Sequence, residues 1–190
     1  MRVSALLLLL SVVVPSVGFA ASAPASALVD IATARQSLAG KWEGSLEYRD
    51  YTANKWFGIP VKTAIEDQGD GATMIRKSDF DDGPKVGIVR ITSVELFDAG
   101  KGMITTATFR KGRTPSLDSY TVRLDGVPKD ATHWTMIEES DSMDDNRRAR
   151  LRLTTVRDGD NVETLKEVDF LDDSKSEWLA RNRTKLTRKS

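Results

Sequence analysis

The residues of this chain that could do chemistry are few. His133 is the only histidine among 190 residues and cysteine is absent, so the sequence offers neither a multi-histidine metal site nor thiol chemistry. His133 alternates with Trp134 and Met136, which predicts that it faces solvent. Motifs of serine hydrolases, phosphate-binding loops and zinc proteases are also missing from the sequence. An enzyme is therefore the third-ranked interpretation, and two carboxylates converging inside the fold would revive it.

The charged clusters are explained by turns and by solvated strand faces. Aspartates at residues 79–82, 141–145 and 172–173 lack the spacing of a calcium-binding loop, whereas aspartate is common in turns. The arginine-rich residues 147–152 could form an anion site, but acids that would oppose them on the next strand favour an outer face of paired charges. These patterns predict neither a metal nor a cofactor.

The candidates for ligand binding are side chains that strand alternation places inward. They are Trp42, Tyr48, Phe57, Arg76, Lys166, Trp178 and Asn182. The aromatic members could be plain core or the walls of a cavity. Lys166, with Asn182 opposite it, needs a partner, water or an anionic ligand group, because burying a lone charge is costly. The alternative for Lys166 is that its ammonium group reaches the barrel mouth and stays hydrated. Arg76 is a second charged residue that is predicted to point inwards.

Two-residue alternation organises the elements that must position these side chains. In residues 40–49, Trp42, Gly44, Leu46 and Tyr48 fall on one face and polar side chains on the other. Turn signals rich in Asp, Asn and Gly then recur at nearly even spacing, with β-branched runs between them. This pattern predicts an all-β protein, an antiparallel up-and-down meander that closes into a barrel of about 8–10 strands.

The N-terminal segment has the pattern of a secretory signal peptide. Residues 1–20 combine Arg2, an apolar stretch and small residues before a cleavage site near Ala20. An uncleaved anchor is the alternative, but Pro15 and the small residues after Ala20 favour removal. Residues 21–38 would then form an N-terminal segment with a short helix, and residues 39–188 a single β-barrel domain. We expect a periplasmic or secreted protein with no membrane span after signal removal.

The overall charge argues against strongly charged partners. Loss of Arg2 with the signal reduces the 28 basic residues by one, against 28 acidic residues. A near-neutral balance gives no support for nucleic-acid binding or for strong attraction to anionic lipid.

Charge pairing predicts the register of the hairpin at residues 159–160. A two-residue turn there places Arg152 opposite Glu167 on the outer face. It also places Leu151 opposite Val168 on the inner face. Opposite charges therefore meet outside and apolar side chains meet inside.

The next hairpin is predicted to have an odd loop. A two-residue turn at residues 173–174 would set Lys166 against Arg181, which is unfavourable. A loop with an odd number of residues avoids this pairing. The choice matters because a shift of the register by one residue exchanges every inward and outward side chain. The odd loop pairs Phe170 with Trp178, Val168 with Ala180 and Lys166 with Asn182.

The first strand also carries a family resemblance. Gly40-Lys41-Trp42, the antiparallel meander and a basic last strand resemble the lipocalin-like, or calycin, barrels, and the chain resembles exported bacterial proteins of unknown function. The resemblance implies a small hydrophobic ligand inside the barrel and an arginine of the last strand across Trp42, for which Arg181 and Arg183 are candidates. Haem-binding barrels similar to nitrobindin use a histidine close to the C-terminus, a position that His133 does not match.

The leading hypothesis is an exported soluble barrel that binds a small hydrophobic or amphipathic molecule. This molecule would be partly apolar and could carry an anionic group. The alternative is a structural or interaction protein of the cell envelope whose barrel is filled by side chains. A cavity of roughly 300 Å3 or more would favour the first hypothesis.

Overall fold

The two-residue alternation of the sequence becomes ten antiparallel strands in the computed structural model, which describes residues 29–172 and 175–190. The strands are β1 (Gly40–Asp50), β2 (Lys55–Asp67), β3 (Thr73–Asp81), β4 (Ile88–Asp98), β5 (Met103–Arg110), β6 (Ser116–Leu124), β7 (His133–Asp144), β8 (Arg147–Asp158), β9 (Asn161–Phe170) and β10 (Leu179–Lys189). Each strand pairs with the next along the chain, and β1 pairs with β10 to close a barrel. A short helix, α1 (Ile31–Gln36), precedes β1. The predicted all-β meander with a short N-terminal helix is confirmed.

The proposed signal peptide at residues 1–20 lies outside the described residues. Among the residues that are described, no helix has the length and apolar character needed to cross a membrane.

Tight turns fix the register at the centre of the C-terminal half. Asp145 and Asn146 connect β7 to β8 with φ angles of 50° and 61°, the left-handed conformation that a type I′ hairpin turn requires at both positions. Gly159 has a φ of 62° at the first position of the β8–β9 turn. Arg152 lies opposite Glu167 as predicted, so the register of this hairpin is confirmed.

The β9–β10 hairpin follows the predicted odd register only in part. Asn182 lies opposite Lys166, as predicted, and the register continues to the end of β10. A bulge at Arg181 then shifts the pairing by one residue, so Leu179 lies opposite Val168. The expected pairs of Val168 with Ala180 and of Phe170 with Trp178 are therefore wrong.

The barrel interior is layered along its axis. At the end where β1 begins, which we call the closed end, a large apolar core includes Trp42, Ile104 and Trp134 and packs against α1. Towards the opposite, open end, a small apolar cluster on β8 and β9 includes Leu151 and Val168. Polar side chains occupy the level between these two clusters.

Trp42 and Arg188 fasten α1 to the closed end. Trp42 Nε1 donates to the carbonyl of Leu38 at 2.8 Å, and the Arg188 guanidinium lies 4.4 Å from the Trp42 ring centroid. Arg188 Nη1 and Nη2 donate to the carbonyls of Ala39 and Ser37, each at 2.8 Å. Because the last carbonyls of a helix have no partner within the helix, these bonds stabilise its end. The arginine across Trp42 is thus Arg188, and the expectation of Arg181 or Arg183 is corrected.

One seam of the barrel is only partly paired. β6 and β7 pair between residues 121–124 and 136–139. Towards the open end, residues 116–120 of β6 pair with β5 alone, and residues 140–144 of β7 pair with β8 alone. The wall is therefore split between β6 and β7 in its open half.

The close approach of β1 to β10 requires a glycine at position 44. A Cβ atom there would lie 1.8 Å from the carbonyl oxygen of Lys185. We expect Gly44→Ala to lower the free energy of unfolding by about 1–3 kcal/mol, because backbone atoms of two paired strands must move apart. Urea denaturation would measure this loss.

Gly100→Ala is the matched control for this substitution. The nearest atom to a Cβ at position 100 is a side-chain oxygen of Asp98 at 3.4 Å, so little must move. Equal stability of the Gly44→Ala protein and the control would show that the strands are not in close contact there.

Candidate functional site

The level between the two apolar clusters contains a cavity of about 300 Å3. Eight serine and threonine side chains line it: Thr63, Ser78, Ser93, Thr106, Thr108, Thr155, Thr164 and Thr184. Two pairs of them bond across neighbouring strands, Thr63 with Ser78 at 2.9 Å and Thr155 with Thr164 at 3.0 Å. A larger concavity of 740 Å3 lies on the outer wall near Val156, but it collects no comparable set of buried charges. The interior cavity is therefore the candidate site.

Three charged side chains meet at the bottom of this cavity. Arg35 projects from α1, is only 4% exposed, and has Nη2 at 3.5 Å from Glu95 Oε2. Arg76 on β3 donates from Nε to Glu95 Oε1 at 3.1 Å. Burial lowers the pKa of Arg35, while the negative charge of Glu95 opposes that shift. Since arginine remains protonated in proteins, Glu95 balances two positive charges.

Helix α1 exists at this position because of its local caps as well as its packing. The Asp30 side chain accepts a hydrogen bond from the Thr33 backbone amide at 2.8 Å, which caps the first turn. The same bond lowers the pKa of Asp30. Ala34 is fully buried beneath the helix, and its neighbour Arg35 contacts Glu95, which lines the cavity.

Glu138 is a second interior carboxyl, and its surroundings differ from those of Glu95. It lines the cavity on β7, but its carboxyl makes no hydrogen bond or ion pair with any residue of the described ranges. Burial raises its pKa to about 7, and the negative charge of Glu95 adds to this shift, whereas Arg35 and Arg76 oppose it. With this pKa Glu138 exchanges its proton in the neutral range, and its protonated form can donate a hydrogen bond.

Tyr120 contributes a further donor to the same cavity. It stands on β6, beside the split seam, and packs against the apolar cluster of β8 and β9. Burial, together with the negative charges of Asp118 and Glu138, raises its pKa to about 12. Its hydroxyl therefore keeps its proton at physiological pH.

The structure places the predicted site residues at different levels of the barrel. Arg76 is the predicted residue that lines the cavity. Tyr48 and Phe57 lie at the open end, with ring centroids 5.6 Å apart. Trp42 is 1% exposed within the closed-end core, so it supports the cavity floor instead of forming its wall.

Lys166 lies one step closer to the open end than the cavity and already has a partner. Its Nζ donates to Asp144 Oδ1 at 3.0 Å, and Asn182 lies opposite it on β10. Arg181, displaced by the bulge, approaches Asp144 Oδ2 at 2.9 Å and also bonds Asp145. Asp144 therefore neutralises the positive charge of Lys166, and no ligand is needed for that purpose.

Trp178 lies on the outer wall, which corrects its expected inward position. The Arg152 guanidinium lies 3.8 Å from its ring centroid, and that of Arg150 lies 5.5 Å away. Both arginines face outwards, opposite Glu167 and Asp169. Trp178 precedes the start of β10 and is not held by the barrel ladder, so strand alternation does not determine its direction.

His133 lies at the closed end on the outward side of β7, bonded through Nδ1 to Asp130 at 2.8 Å. Its Nε2 lies 3.3 Å from Asp158 Oδ1. The side-chain bonds from His133 and Thr132 lower the pKa of Asp130. Within residues 29–172 and 175–190, no group of three or more His, Cys, Asp and Glu side chains is arranged to hold a metal ion.

Sequence reasoning missed the two carboxyls and the second arginine of the cavity. Alternation with Ser93 and Phe97 could have placed Glu95 inside, and alternation with Met136 could have placed Glu138 inside. No such signal exists for Arg35, because its position depends on how α1 packs against the barrel end.

Comparison with protein-family models finds no match, and comparison with curated proteins finds none. Among solved structures, the chain is similar to the crystal structure of Rv2717c from M. tuberculosis, with a TM-score of 0.57 and 12% sequence identity. The alignment covers 86% of this chain and 99% of that chain. At this identity the similarity supports the barrel fold alone.

The raised pKa of Glu138 makes stability depend on pH in a defined direction. As pH rises from about 5 to about 7, the carboxyl ionises in the unfolded chain while it stays largely protonated in the fold, so stability falls. Glu138→Gln removes this penalty. We expect the variant to gain up to about 3 kcal/mol relative to the natural protein between pH 5 and pH 8.

Urea denaturation at both pH values would measure the difference. Glu163→Gln, on the outward side of β9, is the control and should show no comparable gain. A pH-independent difference between the Glu138→Gln protein and the natural protein would mean that Glu138 is not buried in an unfavourable environment.

Proposed function

We propose that this barrel binds a small polar molecule with an anionic group in its interior cavity, and that it acts after export in the periplasm or outside the cell. Arg76 provides the main support. Its side chain is 31% exposed although it lies inside the barrel, so it faces the cavity. Only Nε is bonded, to Glu95, and the two terminal nitrogens make no hydrogen bond to any residue within the described ranges. A guanidinium with two such nitrogens fits a carboxylate or phosphate group.

The charge of the cavity supports an anion over a cation. Arg35 and Arg76 oppose Glu95, which leaves one positive charge at the cavity floor while Glu138 is protonated. The hydroxyls, Tyr120 and protonated Glu138 add neutral donors. Such donors stabilise a negative group without adding a competing charge.

The cavity also limits the size and apolar content of the ligand. A volume of about 300 Å3 is at the lower end of the range for small-molecule sites. Val61, Phe80, Leu153 and Leu186 supply apolar wall, but they are outnumbered by polar residues. The ligand is therefore small and mainly polar, with one apolar side, and differs from the hydrophobic ligand that the lipocalin resemblance implies.

The lipocalin resemblance itself remains part of this proposal. Its support is the closed up-and-down barrel and the packing of Arg188 over Trp42 on the first strand. The alternative function, a filled barrel in an envelope interaction protein, is less favoured because the interior contains the cavity described above.

Native mass spectrometry of the protein purified from an exporting host, before and after denaturation, tests the proposal. We expect a small molecule that is lost on unfolding, and Arg76→Met should reduce its occupancy at least tenfold. Arg76→Lys should retain part of the occupancy, because it keeps the charge beside Glu95.

The control is Arg90→Met, since Arg90 faces outwards and pairs with Asp79 at 2.6 Å. If no molecule co-purifies, the affinity of the protein for acetate, benzoate and inorganic phosphate is measured by titration instead. Folded protein that binds none of these probes, or that binds them equally after Arg76→Met, would refute the proposed site.

A second candidate function is acid–base catalysis. Its support is that Glu95 and Glu138 line one cavity, with the pKa of Glu138 raised to about 7 by burial and by Glu95. Such a carboxyl can serve as a general acid near neutral pH. If the Glu138→Gln protein retains a molecule of different mass from that held by the natural protein, the site is catalytic. If the two masses are identical, the site binds the molecule without converting it.

A further inference from the structure

The exposed apolar side chains of this barrel are concentrated at one end. The described residues include twelve large hydrophobic side chains that are exposed. Nine of them lie at the open end, on or beside the five hairpins there: Tyr48, Tyr51, Phe57, Val86, Ile88, Phe109, Leu117, Met143 and Leu171. Scattered exposed apolar residues need no explanation, but such clustering is typical of an interaction surface.

Within this end, the β5–β6 hairpin at residues 109–117 has a distinct composition. Phe109 is 45% exposed and Leu117 is 72% exposed. Both lie on the outward face of adjacent strands, two positions apart in the ladder, since Leu117 pairs with Ala107. The tip between them contains Arg110, Lys111 and Arg113 and no acidic residue.

The three basic side chains of this hairpin differ from most others in the protein. Along the barrel wall, basic residues commonly face acids, as Lys77 faces Glu66 at 2.8 Å. The side chains of Arg110, Lys111 and Arg113 make no hydrogen bond or ion pair with any residue in the part of the chain that the structure describes. The near-neutral net charge therefore conceals a local positive patch.

A groove beside the hairpin gives the patch a concave shape. It measures about 430 Å3, and its basic lining consists of Arg90, Arg110, Lys111 and Arg113, with no acidic residue in the lining. Phe109 and Pro115 form its apolar part. The combination suits a phosphate group with an adjoining hydrocarbon region.

We propose that the β5–β6 hairpin docks the open end of the barrel onto an anionic phospholipid surface. Arg110, Lys111 and Arg113 would contact lipid phosphates, while Phe109 and Leu117 enter the headgroup region. Apolar side chains beside unpaired cations are the features that attach a soluble segment to an anionic bilayer. A protein partner would not require a positive patch flanked by exposed aromatic and aliphatic side chains, whereas a lipid surface uses both.

Cosedimentation of the purified protein with phosphatidylglycerol vesicles, and separately with phosphatidylcholine vesicles, tests the proposal. We expect partition onto phosphatidylglycerol vesicles at least tenfold stronger than onto phosphatidylcholine vesicles, decreasing as salt is raised. Arg110→Ser combined with Lys111→Ser should weaken it at least tenfold. Phe109→Ser combined with Leu117→Ser should weaken it to a similar extent.

Matched controls come from the closed end. Lys41→Ser with Lys129→Ser removes the same charge, and Leu96→Ser with Val127→Ser removes exposed apolar side chains. Both control proteins should partition as the natural protein does. The proposal is overturned by absent partition, by equal losses in the control proteins, by partition that is insensitive to Phe109 and Leu117, or by full displacement with soluble polyphosphate at constant ionic strength.

Discussion

The contact among Trp42, Arg188 and the end of α1 is the interaction on which the interior depends. A barrel of ten strands is too wide to fill its ends with the strand side chains alone, so one end must be covered. Arg188 lies over the Trp42 ring and donates to the carbonyls of Ala39 and Ser37. Arg157 adds a further bond to the Ser37 carbonyl. The two arginines thereby supply hydrogen-bond donors to the carbonyls at the end of the helix, and the helix closes the barrel.

The covered end determines the chemistry of the cavity above it. Closing the barrel with α1 brings Arg35 to the cavity floor, where Glu95 must balance both Arg35 and Arg76. Among the described residues, no cation forms an ion pair with Glu138, and burial raises its pKa to about 7. In a medium of low polarity these groups influence one another more strongly than they would in water. The same arrangement leaves the terminal nitrogens of Arg76 directed to the cavity, because Glu95 engages only its Nε.

Strand alternation and turn chemistry were sufficient to predict the fold class, the register of the β8–β9 hairpin and most of that of the β9–β10 hairpin. They succeed because each depends on neighbours in sequence: Arg152 opposite Glu167 follows from the turn at Gly159. They fail where a single extra residue changes the ladder, as at Arg181, and where a residue precedes the strand, as does Trp178, which lies outside. Alternation indicates which face a residue occupies but not which charges meet across the barrel. The meeting of Arg35 with Glu95 depends on helix packing, which leaves no periodic signal.

The closure between β1 and β10 has a consequence for the order of folding. Every other strand pair joins neighbours along the chain, whereas this pair joins the first strand to the last. Loop-closure entropy makes such a distant contact slow to form, so the meander can assemble as an open sheet while its two edges remain apart. Arg188 belongs to the closing strand, and it is also the residue that fastens α1. The cavity floor is therefore completed only when the last strand docks, and a chain in which β10 has not yet paired with β1 has no closed cavity.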